Sequence, residues 1–302
     1  TDVEPWLFFE SFAFLRPQDL LASLGSDNKG SEGDGGFSAA WQEPPKEEFA
    51  HYFECIQRQL NAGTFRKAVP AVFALATKKM LEQDIARSIQ QGLNTLVESP
   101  ESFIYGVWNK EEGLLGVTPE VLFHKEGERL STMALAGTGA AKDSTNLLGD
   151  AKEMYEHQLV VQGIEEGLKA FGDVQIGETQ EVQFKKLKHL RTYMTLKRSN
   201  LHFENLVKAL HPTPALGTSP KAGGFDFLRE ICNVNIRQRF GAPFGFVFGE
   251  SALCLVAIRN VQWCRQQLLL GSGCGIVPQS DLEHEWQELK LKRNSVKENL
   301  GL

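Results

Sequence analysis

The sequence predicts an α+β protein built on largely antiparallel β-sheet. Three observations carry this. Short apolar runs of strand length follow one another, with no helical segment between them, from residue 102 to residue 138. Longer segments with helical periodicity stand apart from these, at 46–63, 82–98, 150–171 and 281–299. Strand and helix runs do not alternate in the regular βαβ order that a parallel sheet requires.

Taken in order, the chain opens on an arm. Residues 25–36, GSDNKGSEGDGG, are a low-complexity stretch whose composition suits a flexible linker or mobile loop. That sets off residues 1–44 as an N-terminal arm and 45–302 as the main domain. KEEFAHYFECIQRQLNAG reads as a helix closed by Gly63. KAVPAVFALAT reads as a strand interrupted by Pro70, a sign of an edge or a bulge. EQDIARSIQQGLNTLVE is an amphipathic helix, and SFIYGVWN, GLLGVT, VLFHKEG and RLSTMALAGT are consecutive antiparallel strands. Residues 150–171 form a strong helix, and LHFENLVKAL a short one. PFGFVFG, ALCLVAIRNV and QQLLLGSGCGIV read as a three-strand meander. A final helix over 281–299 follows, with Ser280 and Glu283 offering a capping box.

Composition narrows the function. A net charge of −6 and the lack of any Lys/Arg run leave no footprint for nucleic acid. One local cationic pocket would still suffice for an anionic small molecule. The five cysteines are scattered and form no CxxC pair, which speaks against a metal finger or a disulfide framework and fits a reducing cytoplasm. No apolar run reaches membrane-spanning length. FFESFAFL lacks a basic flank and a cleavage site, so no signal peptide is expected.

The sharpest signal is carboxylate placement. At about 100° per residue, Glu285, Glu288 and Lys292 flank the apolar stripe of the last helix, formed by Trp286, Leu289, Val296 and Leu300. On the helix at 150–171, Glu153 falls inside the apolar stripe and Glu156 beside it. An ion pair of Lys292 with Glu285 or Glu288 would account for one helix alone. Two helices with the same feature point further, because buried carboxylates are costly unless paired or coordinated. Two glutamates from each of two helices make a hard-oxygen site suited to Mg²⁺ and substrate oxygens, with a lysine nearby for a substrate carboxylate.

GVTPEVLF, ALAGT, KEMYEH, HPTPALG, AIRN, GCGIV and EWQELKLK stand in an order that resembles the chorismate-utilising enzymes, a family that includes isochorismate, salicylate, anthranilate and aminodeoxychorismate synthases. The resemblance covers about residues 45–300 and implies a sandwich of two large, mainly antiparallel sheets with helices outside. It implies Glu156 and Glu288 as Mg²⁺ carboxylates, with Glu153 and Glu285 as companions for metal-bound waters. Arg259 and Lys292 would clamp a carboxylate of chorismate, and Gly273 and Gly275 would bring backbone N–H groups to it. Gly137 and Thr138 would line the ring site, and His211 would stand near the reacting face.

Two positions separate the members of this family. Amine-adding enzymes resemble Gln where this chain has Lys67, and a lysine in its amine form can serve as general base toward water. Aminodeoxychorismate enzymes carry a nucleophilic lysine where this chain has Ala136. With Lys67 as base and Glu120 as acid, the implied reaction is the reversible, Mg²⁺-dependent conversion of chorismate to isochorismate. Water addition needs no ammonia donor, so no glutaminase subunit is expected. Phe240 stands where some salicylate-forming relatives carry Tyr, which tilts against pyruvate elimination. Salicylate synthesis is the alternative activity, and a non-catalytic chorismate-binding role is the alternative class.

Overall fold

The structure is a computed structural model that describes residues 13, 15–26, 37–144, 146–232 and 236–302. The Gly-rich stretch lies outside that set except for Gly25 and Ser26. The chain divides into two compact units, Thr1–Gly35 and Gly36–Leu302. In the first, Pro17–Ser26 form helix α1, with Arg16 paired to Asp19 of its first turn at 2.7 Å. The division precedes the expected boundary at 44/45 because residues 37–44 are tied to the second unit. Gln42 exchanges backbone hydrogen bonds with Leu75, and Glu43 accepts from Arg293 and Lys297 at 2.8 Å each.

The second unit holds two large antiparallel sheets. The first has five strands: β2 (Ala71–Thr77), β3 (Phe103–Trp108), β4 (Glu112–Thr118), β12 (Asn260–Cys264) and β13 (Gln267–Gly273), in the order β2-β13-β12-β4-β3. The second has six: β5 (Val121–Glu126), β6 (Arg129–Ala140), β7 (Gln175–Phe184), β8 (Leu187–Lys197), β10 (Pro243–Phe248) and β11 (Ser251–Val256), in the order β10-β11-β5-β6-β8-β7. A short pair joins β1 (Lys67–Ala68) to β9 (Thr218–Ser219). Pro70 separates β1 from β2, and β2 lies at a sheet edge, where a missing N–H costs no ladder bond.

Side-chain alternation sorts the layers. Leu114 packs with Leu135 and Leu255 between the sheets, while its neighbour Leu115 faces outward with Leu268 and Leu270. That outer face is covered by α3 (Glu82–Glu98) and α7 (Leu282–Leu300) through Ile85, Val296 and Leu300. Helices α4 (Ala151–Leu168) and α5 (Phe203–Leu210) pack Val160, Ile164 and Leu206 against the six-stranded sheet. Helix α2 (Lys46–Asn61) stacks Phe49 on Trp286 of α7, and α6 (Gly224–Ile231) adds Leu228 to the same cluster.

The fold is the predicted α+β sandwich, with four local corrections. The last strands are not one meander: β10 and β11 belong to the six-stranded sheet, β12 and β13 to the five-stranded one. The run ALCLVAIRNV is broken between the two sheets at Arg259, whose φ is +56°. Strands β7 and β8 and helix α6 arise where no periodic signal marks the chain. The N-cap of α7 is Asp281, which accepts from His284 N, whereas Ser280 donates to Glu285.

Arg293 is fully buried against Trp286, donating to Glu43 Oε2 and, at 2.7 Å, to Ser272 Oγ. Removing Glu43 strands that guanidinium. Glu43→Ala is expected to cost about 3 kcal/mol in chemical denaturation, the low end for a broken buried pair because Glu43 is itself half-exposed. Glu43→Gln keeps an acceptor and should cost less. A loss under about 0.5 kcal/mol would class the pair with ordinary surface contacts.

Candidate active site

A cleft of about 670 Å³, counted with the open solvent at its mouth, lies where β1, the β4–β5 turn, β6 and the end of β13 meet. From the first part of the chain, up to α4, it is lined by Lys67, Glu120, Gly137, Thr138 and Glu156. Arg259, Gly273, Gly275 and Lys292 line it from the last part of the chain. Residues more than two hundred positions apart are thus brought together by the pairing of β2 with β13 and the bridge from Ala68 to Ile276.

Each side chain has a local reason for its place. Lys67 is pinned by backbone pairing on both sides, to Ser219 and through Ala68 to Ile276, and is about 1% exposed. Its Nζ lies 3.0 Å from Glu156 Oε1. Glu120 sits in the turn between β4 and β5, its N–H donating to Thr118 Oγ1 and its carbonyl accepting from Val256 N. Burial pushes its carboxyl up to about 7, against the opposing charges of Lys67, Lys292 and Arg259. Gly137 adopts φ +73° at a register shift in β6, and this bulge turns Thr138 N–H toward Glu153 Oε2 at 3.0 Å. Burial lowers Arg259 to about 10, although Glu288 and Glu120 pull the other way.

The structure adds His189, which the sequence reading had not singled out. It lies on β8 and lines the cleft, fully desolvated, and burial drives its pKa well below the ordinary value. An Nδ1–H donated to Gly137 O at 2.9 Å leaves Nε2 to accept from Arg259 Nη2 at 3.3 Å. A neutral imidazole therefore orients the guanidinium. The signal was hidden because β8 is buried along most of its length, including polar Lys188, His189, Arg191 and Thr192, so no apolar/polar alternation marks it.

The four glutamates converge at the back of the cleft, all buried: Glu153 and Glu156 from α4, Glu285 and Glu288 from α7. Only Glu156 reaches the cleft lining. Asp150 caps α4 by accepting from Lys152 N and Glu153 N, which fixes the turn that bears the first pair. Burial and mutual repulsion raise Glu153 and Glu285 to about 7 each. Burial would raise Glu156 as well, but Lys67 and Lys152 outweigh it and hold that carboxyl at about 2. Lys292 pairs with Glu288 at 2.6 Å and donates to Gly273 O at 2.8 Å. Lys152, also not singled out from sequence, contacts Glu153, Glu156 and Glu285. Its i,i+4 spacing to Glu156 was the available clue.

Among the described residues no three Asp, Glu, His or Cys side chains form a ready-made metal cage. The donor chemistry nonetheless suits a hard divalent cation: all ligating atoms are carboxylate oxygens, and Glu285 Oε2 is buried without a partner. Lys152, Thr138 N and Ser280 engage Glu153 and Glu285, the expected companions for metal-bound waters, and leave Glu285 Oε2 without a partner. One expectation is corrected. His211 is not part of the cleft lining: it caps the C-terminus of α5, where burial and the charges of Arg237 and Lys221 lower it to about 4, while Ala215 and Leu216 of the same loop do reach the cleft.

The sequence profile of the chorismate binding enzymes matches residues 18–301. The chain is 33% identical over 199 residues to the salicylate biosynthesis isochorismate synthase of Pseudomonas aeruginosa, covering 62% of this chain and 42% of that protein. It is 28% identical over 276 residues to the isochorismate synthase MenF of Bacillus subtilis, covering 87% of this chain and 57% of that protein. A crystal structure described as a putative 2,3-dihydroxybenzoate-specific isochorismate synthase, DhbC from Bacillus anthracis, superposes with a TM-score of 0.76 at 21% identity, covering 90% of this chain and 76% of that one. The chain thus spans about half the length of these two curated relatives. Among the described residues no helix is long and apolar enough to cross a membrane.

Gly275 tests the geometry of the cleft. A Cβ there would collide with Glu156 Oε1 and Lys67 Cε, the movable ends of two side chains. Gly275→Ala is therefore expected to keep the fold but push that ion pair out of place. Chorismate should raise the melting temperature of the parent protein and leave that of the variant unchanged. An equal rise in both would show that the close approach is not needed for binding.

Proposed function

The chain belongs to the chorismate-binding enzymes, and on that footing we propose that it interconverts chorismate and isochorismate with Mg²⁺ held by Glu156 and Glu288. The observation that carries this reading is the pair Lys67 and Glu120, both buried in one cleft, with Ala136 beside them in place of a nucleophilic lysine. Mg²⁺, when bound, would neutralise charge that gathers on the ring carboxylate. All other roles belong to the chain. Arg259, Lys292 and the Gly273–Gly275 backbone suit the substrate's carboxylates, and His189 keeps Arg259 in line.

In the forward direction Lys67 accepts a proton from water as the water oxygen bonds to C2. The ring double bond shifts, the C4–O bond breaks, and Glu120 donates its proton to the departing hydroxyl. Water is gained at C2 and lost from C4, so no co-reactant is consumed. Lys67 can act as base only when its hold on Glu156 loosens, which makes that ion pair the gate on water addition. The reverse reaction uses the same groups with roles exchanged, so an equilibrium mixture is the expected end point. The nucleophile is water, and the proposal includes no glutaminase partner. Phe240 lines the cleft without a hydroxyl to offer, so isochorismate, not salicylate plus pyruvate, is the proposed product.

The test is purified protein with chorismate, with and without Mg²⁺, followed by chromatography. Isochorismate that accumulates to a plateau only with Mg²⁺ is the expected result. Salicylate with pyruvate would favour the alternative activity, and no turnover would leave a binding role. Lys67→Ala should lower isochorismate formation by about 10²–10⁴-fold while chorismate still binds. Retention of a tenth of parental turnover would remove Lys67 as the base.

The acid predicts a pH limb. Glu120 must carry its proton to act, and its carboxyl is raised to about 7. The competent fraction is therefore high below that pH and falls above it. Forward kcat also needs neutral Lys67, so the two demands offset each other as pH rises. In the reverse direction Glu120 must be ionised and Lys67 protonated, and kcat from isochorismate should fall on the acid side of 7, approaching about tenfold per pH unit. A reverse profile flat down to pH 5 would assign that role elsewhere.

A further inference from the structure

Lys152 has no part in the reaction as described, yet it stands at the centre of the glutamate cluster. Its Nζ lies 2.9 Å from Glu153 Oε1 and 2.8 Å from Glu285 Oε1, which ties α4 to α7. Its contact with Glu156 Oε2 is longer, at 3.3 Å. Glu288 is paired with Lys292 at 2.6 Å. The remaining bonds sharpen the division. Glu153 Oε2 accepts from Thr138 N, and Glu285 Oε1 accepts from Ser280 Oγ, so these two carboxylates are committed to protein donors. Glu285 is fully buried, and its Oε2 has no partner.

Four carboxylates that face each other from two helices are more than one hard divalent ion needs from a protein. Such an ion is held by one or two carboxylates plus water and substrate oxygens. Two-ion sites, by contrast, set their cations about 3.5–4 Å apart and share a larger acidic set. Here one end of the set is already filled by an ammonium, a compact charge with no demand on coordination geometry.

We propose that Lys152 is a built-in cation that occupies the second of two cation positions in the cluster, so that the site accepts a single divalent ion, on Glu156 and Glu288. This rests on the assignment of those two glutamates made above. Because the ammonium is covalently attached, it cannot dissociate. It neutralises Glu153 and Glu285 and holds α4 and α7 together whether or not a metal is bound.

The experiment counts divalent ions on the intact protein, with Mn²⁺ as probe, by calorimetry and electron paramagnetic resonance. The parent should bind one ion per chain. Lys152→Ala should bind two, with lines broadened by coupling between neighbouring ions. Its metal-free melting temperature should fall and be restored by saturating Mn²⁺. Lys152→Arg keeps the charge and should bind one. If Lys152→Ala does not fold without metal, the count is made on Lys152→Gln, with the same expectation. A neutral variant that still binds one ion, with affinity equal to or weaker than the parent, overturns the proposal and leaves Lys152 a helix tie. If the parent binds none, the assignment of Glu156 and Glu288 fails. In that case one ion on Lys152→Ala would still support the built-in cation, and none would overturn both.

Discussion

Four buried glutamates on two helices can persist only because lysines are buried with them. Bringing one carboxylate out of water without a partner is costly, and four within reach of one another repel as well. Lys67, Lys152 and Lys292 supply the compensating charge, each from a different element. The arrangement of the site follows from this. Strand β1 must deliver Lys67 to α4, the early turns of α4 and α7 must meet at Lys152 and Glu285, and β13 must end where Lys292 can reach Gly273 O. The same electrostatics divides the carboxyls by role: Glu156 is held ionised, while Glu120, desolvated and without a hydrogen-bonded cation, keeps its proton near neutral pH.

The scaffold serves these demands at its irregular points. Three departures from regular strand geometry sit at the cleft: the break at Pro70 after Lys67, the bulge at Gly137, and the left-handed Arg259 between the two sheets. Each re-aims a side chain or an N–H that a continuous strand would have turned elsewhere. Arg259 shows the principle. A non-glycine residue in the left-handed region is disfavoured, but here it lets the chain leave one sheet and enter the other while the guanidinium stays buried against His189.

Much of this was legible in the sequence because it depends on periodicity. The buried faces of α4 and α7 coincide with the apolar stripes, including the glutamates inside or beside them. The helix boundaries, the edge position of β2 and the hairpins β3–β4 and β5–β6 followed from the same local signals. Periodicity failed where burial is two-sided or function overrides pattern. Strand β8 carries buried His189 and Arg191, and β7 is a mostly exposed polar edge, so neither shows alternation. Lys152 and Arg293 were missed because a cation on a helix normally reads as a solvated face, and only the partner helix or loop shows what it neutralises. His211 is the converse case: its motif suggested the reacting face, while the fold directs the later residues of the same loop into the cleft.

The long-range pairing of β2 with β13 and of β1 with the segment after β13 bears on how the molecule comes into being. Contacts between the first and last strands close very large loops, and such contacts slow folding because chain entropy is lost before they compensate for it. The cluster of opposite charges cannot form until both ends of the chain have arrived. Before then Lys67 and Glu156 are solvated, and no part of the chain short of α7 contains a complete site. During synthesis the site therefore stays incomplete until α7 has been made. Its assembly should coincide with the docking of that helix rather than precede it, which makes the formed cleft a reporter of completed folding.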